Sequence, residues 1–268
     1  MADGVSYTAG TAPGGLAPRP GEAAGAATAF GLELRLFGPV EVRVGGRPLP
    51  RLRSRKGMWL LALLALRAGR DVDRDWLAGT LWPDHREEAA RRSLRQSLHD
   101  LRAALGSQAE RLACESPRTL HLDLSSGAWM DVRAFDAATL PGASRSGRDP
   151  GALAAAVALY RGPLLEDCSE EWVLDARRQR EQQYVAALEA LAATAAACRE
   201  HTAAADYLRR ALVVEPLRED LLRAWMEALA ADGSVAAALV AFREFRARLW
   251  REAAVEPDAE TAALFARR

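Results

Sequence analysis

Alternating apolar and polar residues begin the part of the chain that contains large apolar side chains. Residues 32–36 and 40–44 each place leucine or valine at every second position with charged residues between them, and a Gly-Pro pair lies at residues 38–39. A period of two on both sides of a turn predicts two paired strands with one buried face. Residues 45–48 (Gly-Gly-Arg-Pro) then predict a turn into a short third strand.

The apolar residues change to a helical period from Ser54 onward. We expect a first helix after Ser54, with Gly69 as its C-cap. Asp73 is a suitable N-cap for a second helix over residues 74–81, which is stopped by the Trp-Pro pair that follows it. A third helix is expected over about residues 87–105.

A second pair of alternating segments follows the three predicted helices. Residues 112–114 and 120–124 form its two arms, and Ser-Pro-Arg at residues 116–118 supplies the bend. Strands, three helices and a hairpin, in this order, predict a winged helix-turn-helix with an N-terminal sheet.

The second half of the chain has a helical pattern with glycine and proline breaks. Ala203 to Tyr207 resembles Ala238 to Phe242, and Tyr207 and Phe242 are 35 residues apart. This spacing is close to the tetratricopeptide period of about 34 residues. The expected fold is therefore mainly α: an α+β winged helix-turn-helix followed by an all-α, tetratricopeptide-like domain. The expected segments are a disordered tail (1–31), the winged-helix domain (32–139), a linker (140–150) and the helical domain (151–268).

The charge balance changes at the boundary between the two predicted domains. The chain of 268 residues has 36 basic and 36 acidic side chains, and its formal net charge is zero. Residues 32–124 have 17 basic and 12 acidic side chains, whereas residues 125–268 have 18 and 22. The net charges of +5 and −4 indicate a basic module joined to an acidic one. A basic module favours a polyanionic partner, because neutralising phosphates releases counterions.

The third predicted helix has an apolar stripe opposite a basic face. Its leucines at positions 94, 98, 101 and 105 are spaced by 4, 3 and 4 residues and so lie on one side. The other side carries Arg91, Arg92, Arg95, Gln96, His99 and Arg102. Arginine binds guanine and glutamine binds adenine in the major groove, so this face is a candidate for reading bases. The alternative is an ordinary solvated face, but such a face normally alternates charges of opposite sign.

Two further basic elements flank this helix. One leads into the first helix, whose N-terminus also favours anions, and the other lies at the tip of the hairpin, where a wing can reach DNA. Together with Arg102 they supply the candidate contacts to the DNA backbone: Arg51, Arg53, Arg55, Lys56 and Arg118.

Other chemistry finds little support in the residues. The chain has no Gly-x4-Gly-Lys-Ser/Thr phosphate loop and no His-Glu-x2-His motif, and its four histidines lack metal-ligand spacing. We therefore expect no enzyme activity, no metal and no cofactor. Three cysteines without a Cys-x2-Cys pair favour a reduced, cytoplasmic protein, and we expect neither a signal peptide nor a membrane span. Cys198 is expected to be a small buried hydrophobe. Trp59, Trp76 and Trp82 are expected to pack in the core of the first domain, and Trp172, Trp225 and Trp250 between helix pairs of the second.

Several motifs, in order, resemble the Streptomyces antibiotic regulatory protein (SARP) family. The DNA-binding half of that family is resembled by Leu34-Arg35-Leu36-Phe37-Gly38, Ser54-Arg55-Lys56, Leu81-Trp82-Pro83 and Ser93-Leu94-Arg95-Gln96-Ser97-Leu98. Its bacterial transcriptional activator domain is resembled by Leu159-Tyr160-Arg161-Gly162-Pro163-Leu164-Leu165 and by residues 172–180. The resemblance covers about residues 32–268 and implies that the winged helix is OmpR-like.

The resemblance implies a transcriptional activator that binds direct repeats near promoters and recruits RNA polymerase, often at antibiotic gene clusters. Direct repeats need two readers, so two protomers are expected on double-stranded DNA. The pattern of the family's third helix assigns base contact to Arg91, Arg92, Arg95, Gln96 and His99, and the wing contact to Arg118. The competing hypothesis is an interaction adaptor whose helical domain binds a protein and whose basic helix is incidental.

Overall fold

A computed structural model describes residues 30–114, 116–140 and 149–266. The first module contains β1 (Leu32–Arg35), β2 (Glu41–Val44), β3 (Arg47–Pro48), α1 (Arg55–Leu66), β4 (Val72–Asp73), α2 (Arg74–Leu81), α3 (Glu87–Leu105), β5 (Leu112–Ala113), β6 (Thr119–Leu122) and β7 (Ala128–Met130). The second contains α4 (Asp131–Thr139), α5 (Pro150–Leu159), α6 (Leu174–Ala197), α7 (His201–Val214), α8 (Glu219–Ala231), α9 (Val235–Ala253) and α10 (Ala259–Ala266). The predicted fold class is confirmed. The predicted tail lies almost wholly outside the described residues, as does most of the predicted linker.

The N-terminal strands form a four-stranded sheet in the order β3-β2-β1-β7. Strand β1 pairs antiparallel with β2, Leu34 opposite Val42, and parallel with β7, Leu34 opposite Met130. Leu32 and Leu34 are fully buried, as the alternation predicts for one face of a sheet. The fourth strand, β7, is three residues long and was not predicted.

The three helices of the first module confirm the sequence prediction. The Ser54 hydroxyl accepts from the backbone N–H of Lys56 (3.1 Å) at the start of α1, and the Asp73 carboxylate caps α2. Helix α1 ends at Leu66, before Gly69, which has φ +77° in the following turn instead of capping the helix. Strands β4, β6 and β5 form a second sheet, whose β5–β6 hairpin is the predicted wing.

The helices of the second module pack each against the next from α6 to α9, as in tetratricopeptide arrays. Three residues expected to be buried are exposed instead. Cys198 follows the last residue of α6 and has left the packed part of that helix. Trp76 is 40% exposed, with the Arg67 guanidinium 4.2 Å from its ring centroid, and Trp250 is 59% exposed on α9. Within the described residues, no helix is long and apolar enough to cross a membrane.

A seam of aromatic and backbone contacts joins the two modules. The Phe37 ring, at the end of β1, lies 5.0 Å between centroids from Phe135 on α4 and from Tyr160 after α5. The backbone N–H of Leu165 donates to Leu36 (2.8 Å). The core is therefore continuous across the seam.

The buried carboxylate of Asp131 stabilises the same seam. Asp131, at the start of α4, accepts from the backbone N–H groups of Leu36 (2.8 and 2.9 Å), Phe37 (3.0 Å) and Val132 (2.7 Å). Burial raises the pKa of Asp131, and the three N–H donors act in the opposite direction. The carboxylate thus ties the end of β1 to α4.

Candidate nucleic-acid interface

Helix α3 is amphipathic in the way that its sequence predicts. The four leucines of its stripe are buried in the module core: Leu94, Leu98, Leu101 and Leu105. The stripe fixes the rotation of the helix, and the opposite face points to solvent.

Four predicted base-reading residues lie together on this exposed face. Arg92, Arg95 and His99 are exposed and have no hydrogen bond or ion pair with any described residue. Gln96 is also exposed and donates to Asp100 (3.0 Å). Because these side chains have no internal partner, they can bind an external group without first breaking a contact within the protein.

Arg91, the fifth predicted base reader, is held within the protein. Its guanidinium donates to both carboxylate oxygens of Asp75 on α2 (2.6 and 2.8 Å) and also contacts Glu87. The hydrogen bond from Arg91 lowers the pKa of the Asp75 carboxyl below its usual range. This bidentate pair connects α2 with the start of α3.

A cleft of about 200 Å³ separates the N-terminal half of α3 from the tip of the wing. Arg95 from α3, Arg118 from the wing and Arg74 from α2 line this cleft, and the Arg91–Asp75 pair forms part of its wall. Arg118 is exposed and its guanidinium has no hydrogen bond or ion pair with a described residue, so the wing tip adds a third such arginine to Arg92 and Arg95.

Arg74 and Arg102 connect the hairpin of the wing with the helices of the first module. Arg74 donates to the carbonyl of Thr119 (3.4 Å) and to the sulfur of Cys114 (3.2 Å). Arg102, predicted to contact the DNA backbone, is half-buried and donates to the carbonyl of Leu112 (3.4 Å). Both guanidiniums therefore hold the hairpin against the helices.

The segment that leads into α1 lies beside the reading helix. Arg51, Arg53 and Arg55 are exposed, and Arg53 approaches Asp100 of α3 at 3.9 Å. Lys56 differs from them, because its ammonium donates to both oxygens of Glu170 in the second module (2.7 and 2.9 Å). Arg51 and Arg55 form no ion pair with a described residue, Arg53 forms a long one, and Lys56 links the modules.

Sequence reasoning missed the contributions of Arg74 and Asp75. Asp75 is 16 residues from Arg91, so no helical or strand period connects the two. Among the described residues, no group of three or more histidine, cysteine or acidic side chains could hold a metal ion.

Comparison with known proteins identifies the second module. A family profile, described as the bacterial transcriptional activator domain, matches residues 130–267. The chain belongs to this family. The matched residues start at the end of β7 and include α4, which the sequence patterns had grouped with the first module.

A solved structure extends the similarity to the first module. Mycobacterium tuberculosis EmbR, in complex with a low affinity phosphopeptide, is 25% identical with a TM-score of 0.69, and the match covers 88% of this chain. It covers 64% of the EmbR chain, so this protein spans less than two thirds of EmbR. No curated protein shows significant sequence similarity to the chain. The activator domain and the EmbR-like fold identify a regulator of the SARP type.

Proposed function

We propose that this SARP-type protein activates transcription by binding promoter DNA in a sequence-specific manner, without catalysis. The observation that carries the proposal is the exposed face of α3, where Arg92, Arg95 and His99 are free of internal partners. Arginine forks bind guanine bidentately in the major groove, and Gln96 suits adenine. Arg118 would reach the backbone or minor groove from the wing.

The remaining candidate residues divide into two groups. Arg51, Arg55 and the exposed Arg53, whose contact with Asp100 is long (3.9 Å), would contact phosphates, whereas three others act by positioning. Arg91 orients α3, Arg102 holds the hairpin, and Lys56 links the modules through Glu170.

The second module would act after DNA is bound and would not itself recognise the base sequence. We propose that two protomers occupy direct repeats and that the activator domain recruits RNA polymerase, at a gene cluster for a secondary metabolite. The acidic balance of residues 125–268 disfavours close contact of this module with phosphates, and so leaves it available for protein partners.

Alanine at Arg92 or Arg95 tests the reading face. Each variant is expected to weaken binding to the upstream region of the neighbouring genes by about 5- to 150-fold, since a base contact is worth about 1–3 kcal/mol. Fluorescence anisotropy with unrelated competitor DNA measures the loss. Arg251→Ala is the matched control, because Arg251 is also an exposed helical arginine but lies on α9. Equal affinity of all three variants and the parent protein would refute the assignment of α3.

Salt dependence distinguishes Arg53 from Lys56. Arg53→Ala should reduce the slope of log affinity against log salt by about 1, because one phosphate contact is lost. Lys56→Ala should leave that slope unchanged, since its ammonium already pairs with Glu170. The same slope change in both variants would show that Lys56 contacts DNA. Binding that competitor DNA removes completely would instead favour the adaptor hypothesis.

A further inference from the structure

A cavity of about 420 Å³ opens beside the seam between the modules. Its walls come from the loop after α5 (residues 160–163), from Glu181 and Tyr184 on α6, and from α7. This volume is within the range of cavities that bind small molecules. The cavity lies apart from the reading face of α3 and has no part in the proposed contact with DNA.

One wall of the cavity is aromatic and apolar. Tyr160 and Tyr184 stack with their ring centroids 3.9 Å apart and their planes 15° from parallel. Val213, from α7, is 72% exposed at the same opening and Val214 lies next to it. These side chains suit the apolar or aromatic body of a ligand.

Arg210 brings a cation to this apolar wall without a carboxylate to neutralise it. Its guanidinium donates to the Tyr184 hydroxyl (3.0 Å) and lies 5.9 and 6.0 Å from the ring centroids of Tyr184 and Tyr207. No acidic side chain among the described residues forms an ion pair with it, although its neighbour Arg209 pairs with Asp206 (2.7 Å). A guanidinium that is oriented by two rings and lacks a counter-ion favours a carboxylate ligand.

The other charged groups at the cavity differ in their availability. Arg161 donates to Glu41 of the first module (2.6 Å) and is therefore occupied. Glu181 is half-buried and forms neither a hydrogen bond nor an ion pair with the described part of the chain. Burial raises the pKa of Glu181, and the neighbouring Arg177 is held by the backbone carbonyls of the loop after α5. Glu181 can thus hydrogen-bond a ligand without losing an internal partner.

We propose that this cavity binds a small organic acid with an apolar or aromatic body. The ligand carboxylate pairs with Arg210, its body lies against Tyr184 and Val213, and Glu181 bonds a hydroxyl or amine on the ligand. Tyr160 connects the cavity with the seam, because its ring also contacts Phe37 of the first module. A bound acid would therefore stabilise the loop that holds the two modules together.

Titration calorimetry and thermal unfolding of the full chain test this proposal, in a buffer free of carboxylates. The probes are phenylacetate, 4-hydroxyphenylacetate and octanoate, with phenylacetamide as the uncharged counterpart. At least one acid should bind saturably and raise the unfolding temperature, and the amide should bind about tenfold more weakly or not at all, because it lacks the charge that pairs with Arg210. Absence of binding by all three acids, or equal binding of phenylacetate and phenylacetamide, would overturn the proposal.

Two variants locate the binding site. Arg210→Gln should weaken the acid that binds by about tenfold or more, whereas Arg209→Gln should leave its affinity unchanged. Arg210→Gln also removes a side chain that packs on two rings, so Val213→Trp supplies an independent test. Val213 is exposed, and a tryptophan at this position should fill the opening and block binding. An acid that binds both Arg210→Gln and Val213→Trp as it binds the parent protein would place the site elsewhere. DNA affinity of the same variants, measured without ligand, should be unchanged, so failure here is distinct from failure of the proposed DNA binding.

Discussion

Replacing Phe37 with alanine is expected to lower the free energy of unfolding by about 3–5 kcal/mol, the usual cost of removing a fully buried phenylalanine ring. Phe37 has no exposed surface and contacts Phe135 and Tyr160 at 5.0 Å between centroids. Neither neighbour can fill the space, because each is fixed by its own packing. Urea unfolding followed by circular dichroism measures the change.

The control for this substitution is Phe30→Ala. Phe30 is half-buried at the start of the described chain and stacks on Trp129 at 6.3 Å, so a smaller loss is expected. Because Phe37 contacts both modules, we expect them to unfold in a single transition. The substitution should shift this whole transition to lower urea concentration. Two separate transitions, of which only one moves, would show that the ring stabilises one module alone.

Asp131→Asn is expected to cost about 2–4 kcal/mol, because it removes the charge and one acceptor from a buried cluster of N–H donors. Asparagine keeps one oxygen, but its amide N–H would face the donors of Leu36 and Phe37. The Leu36 N–H would keep the remaining oxygen, and the Phe37 N–H would be buried without a partner. Chemical denaturation at constant pH measures the loss.

A surface aspartate provides the comparison for this second prediction. Asp175→Asn changes a carboxylate on α6 that is exposed and pairs only with Arg178, so its effect should be within about 0.5 kcal/mol. Equal small losses in both variants would mean that the carboxylate of Asp131 is dispensable at the seam.

The fold could be predicted from the sequence where a periodic pattern carries it. The alternation in residues 32–44, the leucine stripe of α3 and the cap at Asp73 each correspond to an observed element. Strand β7 has only three residues, too few to show a period. Its place in the sheet depends on pairing with β1, which is remote in sequence.

The candidate site was predictable in its location but not in the state of each side chain. The helical period places Arg91 and Arg95 on one face of α3, yet one is paired with Asp75 and the other is free. Lys56 and Glu170 are 114 residues apart, so only tertiary packing brings them into contact. Ion pairs between distant segments leave no signature in local patterns, which is why Lys56 was grouped with its free neighbours.

Gly38 and Gly162 bring the backbones of the two modules into close contact. A Cβ on Gly162 would lie 3.2 Å from the Gly38 Cα and 3.3 Å from a carboxylate oxygen of Glu166, so a side chain at this position would force the neighbouring atoms apart. In the proposed complex, with α3 in a groove of the DNA, this contact between the modules would let the position of the repeat set the side of the duplex from which the activator domain projects. Repeats separated by whole turns, about 10.5 base pairs each, would present both activator domains on one side of the duplex. Inserting half a helical turn of DNA between the repeats would place the two activator domains on opposite sides of the duplex, with each protomer still able to bind.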